Sequence, residues 1–113
     1  MLSKEQKKEA IIKFKERKPL LGIYAVRCTA SGRAWVGSSR NLHATGNGIW
    51  FGLRHGSHRD QPLQHEWNVH GESAFHYEVL EKLDEDVIPM AVSDLLSEKK
   101  KRWMVQLDAR ALL

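Results

Sequence analysis

Residues 22–37 constrain the fold more than any other stretch of this chain. Gly22-Ile23-Tyr24-Ala25-Val26-Arg27-Cys28 has the β-branched and aromatic character of a strand. Thr29-Ala30-Ser31-Gly32 is turn chemistry, and Arg33-Ala34-Trp35-Val36-Gly37 is strand-like again, so the stretch reads as a hairpin. A four-residue loop sets Cys28 opposite Arg33, Val26 opposite Trp35 and Tyr24 opposite Gly37. In that register Tyr24 and Trp35 become diagonal neighbours on one sheet face.

The remaining segments arrange themselves around the hairpin. Residues 3–18 are good helix formers, with Ser3 as a cap and Pro19 as a stop. Leu42, Thr45, Ile49 and Leu53 recur at helical spacing after Asn41, although Gly46 and Gly48 each weaken that helix by about 1 kcal/mol relative to Ala. Asp60 caps a short helix with Pro62 in its first turn, Leu63 and Trp67 on its inner face and Gly71 at its end. Phe75 to Leu80 alternates like a half-buried strand, Asp84-Glu85-Asp86 is a solvated loop, and a last helix is expected from Ser93 as N-cap, with Leu96, Trp103 and Leu107 on one face. The order predicts an α+β domain: a small antiparallel sheet of three strands flanked by helices, spanning residues 20–113, preceded by a basic helix over residues 1–19.

Charge and composition bound what such a domain does. The 113 residues carry a net charge of +4, are 42% hydrophobic and 28% charged, and so make one globular domain rather than a disordered chain. Residues 1–18 hold seven Lys or Arg against three Glu, whereas residues 72–86 hold six acids and one Lys. A basic front with an acidic back suits a surface that meets a polyanion on one side. No apolar run is long enough to span a membrane, and the N-terminal charges have no apolar segment behind them, so a cytoplasmic, reduced protein is expected. The lone cysteine, Cys28, excludes an internal disulfide and a multi-cysteine zinc site. All six His fall between His43 and His76, but His55 and His58 flank loop-forming Gly56-Ser57, and His65 and His70 are five apart on a helix and diverge, which argues against a metal site of His alone.

Gly22-Ile23-Tyr24, ten residues, then Trp35-Val36-Gly37 resembles the signature of the GIY-YIG nuclease family. The match continues through Ser38-Ser39-Arg40-Asn41-Leu42, Leu53 to His58 and Leu63 to Gly71, and closes on Phe75 to Leu83. It covers residues 20–83 continuously and the Trp103 helix loosely. The resemblance implies phosphodiester hydrolysis in DNA with one divalent metal, Mg2+ or Mn2+, a motif tyrosine that activates water, a helix arginine on the scissile phosphate and a helix glutamate on the metal. The chemistry needs these parts: a metal to neutralise the leaving oxygen, a base for the water's proton and a cation against developing charge.

Carried over position by position, the resemblance gives Tyr24 as the first motif tyrosine and puts Trp35 in the second position, where an indole cannot exchange a proton as a phenol does. His58 matches a histidine that some members carry. Thr45 or Gly48 stands where the helix arginine is expected, leaving Arg40 or Arg54 to cover the phosphate. Lys100 stands where the metal-binding glutamate is expected, three residues before Trp103. Glu98, the nearest acid, is about 200° round the helix from it and would need a shift in register to bind the metal. Lys7, Lys8, Arg40, Arg54 and Arg59 are the expected phosphate contacts. Two readings follow. One is a DNA-acting member of the nuclease superfamily, with metal-dependent cleavage if the altered site works. The other is a scaffold that has kept the fold, lost the chemistry and binds nucleic acid or protein. No small-molecule cofactor and no membrane partner are expected.

Overall fold

The structure is a computed structural model that describes residues 20–84 and 86–112. The expected basic helix, with Lys7 and Lys8, lies outside the described residues.

The hairpin forms as its residues dictate. β1 (Gly22–Cys28) pairs antiparallel with β2 (Ala34–Ser39), with Tyr24 opposite Gly37 and Val26 opposite Trp35. Cys28 N–H donates to the Arg33 carbonyl at 2.9 Å, closing the four-residue loop, and Gly32 supplies the positive φ of 77° that the turn needs. β3 (Phe75–Lys82) adds on the other side of β1, with a bulge opposite Ile23 and Tyr24. Gly22 is pressed against β3 there: a Cβ at this position would lie 2.1 Å from the Glu81 carbonyl oxygen.

The sheet has one strand more than the sequence predicts. β4 (Arg110–Ala111) runs parallel to β2, giving the order β3-β1-β2-β4. The three antiparallel strands are thus the core of a four-stranded mixed sheet. A two-residue strand has no periodicity to read; it is fixed by Leu112, whose N–H donates to the Val36 carbonyl at 2.9 Å and whose side chain is buried.

β1 is the central strand and is buried on both faces, so its apolar residues do not alternate with polar ones. Tyr24, Val26 and Cys28 join Trp35 on one face, beneath α1 (Leu42–Arg54) and α2 (Gln61–His70). Ile23, Ala25 and Val36 face the other way, toward Val92, Leu96, Trp103 and Leu107 of α3 (Pro89–Leu107). The first two helices start where the sequence places them: the Asn41 side chain accepts from Ala44 N–H and the Asp60 side chain from Leu63 N–H, both at 3.2 Å. α3 starts earlier than expected. Pro89 begins it with no side-chain cap, and Ser93 sits inside it rather than capping it. Proline's fixed φ and missing N–H suit the first helical position, and that outweighs the serine signal four residues on.

Candidate functional site

β2 ends beside the start of α1 and the middle of α3, and a groove of about 330 Å³ opens where they meet. Ser38, Ser39 and Arg40 contribute from the strand end, and Ser93, Leu96, Ser97 and Lys100 from α3. The four α3 residues are spaced i, i+3, i+4 and i+7 and so share one helix face. Arg40 Nη2 donates to Ser93 Oγ at 3.0 Å, tying the strand end to the helix. Ser39 Oγ lies 2.5 Å from Thr45 Oγ1 and accepts from Asn41 N–H at 2.8 Å, which fixes the turn from β2 into α1. Two cations, with the Ser38, Ser93 and Ser97 hydroxyls among the four serines around them, make a lining that attracts anions and offers them hydrogen bonds.

Tyr24 lies on the opposite sheet face, beneath α1 and α2. Its ring is buried and stacks on Tyr77 with centroids 5.3 Å apart, and Tyr77 Oη donates to the Leu42 carbonyl at 2.6 Å. Gly37 makes room for the Tyr24 hydroxyl, because a Cβ there would sit 2.3 Å from Oη. Burial pushes the Tyr24 phenol up to about 12; Tyr77 adds to this and the nearby Arg59 guanidinium opposes it. Tyr24 is thus a neutral phenol at ordinary pH. His58 Nδ1 accepts from Asp60 N–H at 3.0 Å, so the neutral ring carries its proton on Nε2 and can donate from there. Burial holds the His58 pKa below the usual imidazole range, a shift that Asp60 opposes.

The remaining expected site residues are placed differently. Trp35 is 1% exposed in the core beneath α1 and α2, so it packs and meets no substrate. Its indole fills the sheet face that a second motif tyrosine would share with Tyr24. Arg54 is engaged by Glu72 through two hydrogen bonds of 2.7 and 2.9 Å. Arg59 is exposed close to Tyr24. Glu98 is exposed and paired with Arg102 at 3.0 Å, and it is not among the residues lining the groove. Lys100 holds the groove position instead. The residues of this groove do not fit a divalent cation: the lining has no carboxylate, and Arg40 and Lys100 would repel a second positive charge.

Nothing local in the chain signals the Ser39–Thr45 hydroxyl pair or the serine face of α3, because both depend on how β2, α1 and α3 meet. Tyr77 carried one: it shares strand parity with Phe75 and therefore the face of Tyr24.

No protein-family model and no curated protein matches the chain. Two solved structures do. A structure of the catalytic domain of intron endonuclease I-TevI, carrying a glutamate-to-alanine substitution, matches with a TM-score of 0.66 and 26% identity, over 79% of this chain and 84% of that one. A second structure of the catalytic domain of homing endonuclease I-TevI matches with a TM-score of 0.68 and 24% identity, over 82% and 98% of the two chains. The likeness to the GIY-YIG nuclease family first seen in two short motifs is therefore a likeness of whole folds, and this chain has the α+β architecture of a GIY-YIG homing-endonuclease catalytic domain.

Proposed function

We propose that this chain binds the phosphate backbone of DNA in the Arg40–Lys100 groove, without the one-metal hydrolysis that the family resemblance implies. The observation that carries the reading is the groove itself, which combines two cations and four serines with no carboxylate. The shared fold with an endonuclease catalytic domain supports DNA as the polyanion. Arg59 adds positive charge near Tyr24, and the sequence offers Lys7 and Lys8, outside the described residues, as further candidate phosphate contacts. Contacts of this kind read phosphate rather than bases, so binding is independent of sequence and falls steeply with salt.

The test is a fluorescence-anisotropy titration of duplex DNA over a series of salt concentrations, beside a plasmid-nicking assay with Mg2+ or Mn2+. The expected results are salt-sensitive binding and intact plasmid. Absence of binding at low salt would overturn the DNA reading and leave a protein-binding scaffold. Metal-dependent nicking that disappears in Tyr24→Phe would overturn the non-hydrolytic half and return Tyr24 to the chemistry.

A further inference from the structure

Cys28 is buried at the far end of β1, and two side chains from the end of α2 meet it there. The thiol sulfur, a carboxylate oxygen of Glu66 and an imidazole nitrogen of His70 all lie within 4.8 Å of one another. Glu66 and His70 are i, i+4 on one helix face, with His70 Nε2 3.0 Å from Glu66 Oε2. Glu66 is 7% exposed. Its Oε1 is held by Arg33 Nη1 at 3.0 Å, while its Oε2 is buried with the His70 ring nitrogen beside it and no aligned hydrogen-bond donor. A buried carboxylate oxygen left this way is costly unless a cation completes it, either a proton on His70 or a metal ion held by both side chains.

We propose that Cys28, Glu66 and His70 form a zinc site, with Cys28 Sγ, Glu66 Oε2 and His70 Nε2 as three protein ligands and a fourth position open to water. One thiolate, one imidazole and one carboxylate make a borderline-soft set that suits Zn2+ and disfavours Mg2+. Zinc bonds of about 2.0–2.3 Å bring tetrahedral donors to under about 4 Å, a contraction that side-chain rotation supplies. On binding, the Cys28 thiol loses its proton to solvent. Thiolate and carboxylate then balance the two charges of the ion. Arg33 holds the second Glu66 oxygen and so orients the ligand from behind. The metal enters on the His70 side, where the imidazole is 29% exposed. The site lies about 13 Å along β1 from Tyr24 and is independent of the DNA reading. Its effect is to tie the hairpin turn to the end of α2.

The experiment is titration of the reduced, metal-stripped full chain with Zn2+, and with Co2+ as a spectroscopic probe. One equivalent is expected, with a thiolate-to-cobalt charge-transfer band in the near ultraviolet and a raised melting temperature in Zn2+. His70→Ala, a change at the surface, should weaken binding about tenfold or more with circular dichroism unchanged. Cys28→Ser should abolish the charge-transfer band. Cobalt bound without that band, or with unchanged affinity in His70→Ala, would assign the metal to surface histidines and overturn the site. No binding at all would overturn it too.

Discussion

Arg40 and Lys100 stand among four serines at the end of the sheet where β2 runs into α1. At the opposite end, where β1 runs into its turn, a thiol, a carboxylate and an imidazole converge with Arg33 behind them. Both ends use helix residues packed on the same sheet, yet the first is built for anions and the second for a cation. The family resemblance expects a carboxylate on α3 at the groove, and this chain has Lys100 there. A fold positions side chains without fixing their charge, so the sign of a few residues decides which ligand each end accepts.

The largest effect tests the backbone on which the groove end is built. Gly22→Ala forces a Cβ to within 2.1 Å of the Glu81 carbonyl oxygen, and neither strand can withdraw without breaking the ladder. A loss of about 3 kcal/mol is expected in denaturant unfolding, with Gly37→Ala close behind because of Tyr24. A change under about 1 kcal/mol would show that the hairpin is looser than this packing requires. The next effect separates the two ends directly. Arg40→Ala with Lys100→Ala should lower the slope of log affinity against log salt by about 2 in DNA titrations, while Zn2+ binding at Cys28 stays as it was.

An alkaline titration probes the sheet face beneath α1 and α2, which carries Cys28 but not the groove. The chain has two tyrosines, and burial pushes both Tyr24 and Tyr77 from 10.0 to about 12. The folded state holds protons there that the unfolded state has lost, so stability is full below about 10 and declines as pH rises towards about 12. Absorbance should show little tyrosinate in that window until the protein unfolds. Early tyrosinate in the folded protein would place the rings in solvent. Tyr77→Phe removes the bond to the Leu42 carbonyl and should cost about 1 kcal/mol in thermal melts.

The smallest effect lies on the α3 side. Glu81 accepts from Lys99 Nζ and, at 3.0 Å, from Trp103 Nε1, and these bonds hold its carboxyl below the usual range. Its contribution is present above the ordinary carboxylate pKa and fades as pH falls through the lowered one. Glu81→Gln should flatten that acid limb slightly, as a half-exposed pair contributes little. An unchanged acid limb would remove the pair from the account of stability.

The hairpin register, the Asn41 and Asp60 caps and the inner faces of all three described helices were legible in the sequence, because each is set by neighbours in the chain. Ser93 misled because a strong capping residue was weighed without the geometry of Pro89, which begins the helix first. Trp35 holds a motif position, but such a position carries no burial information, and only the packing puts its indole in the core. The exclusion of a multi-cysteine zinc site left a mixed one unconsidered: Cys28 and Glu66 are far apart in sequence, and nothing local says that β1 ends against α2.

Sequence alone determined the α+β class, the pairing of β1 with β2 and the resemblance to the GIY-YIG nucleases, since turn chemistry and strand periodicity act over a few residues. Tertiary structure decided which charges meet. Only the packing of α3 beside the end of β2 brings Lys100 to Arg40 and leaves Glu98 outside the groove. Likewise, only the packing of α2 over β1 sets Glu66 and His70 beside Cys28. Local propensity fixes where the chain turns, but a site is a contact between distant segments, and its chemistry exists once burial has closed the layers between them.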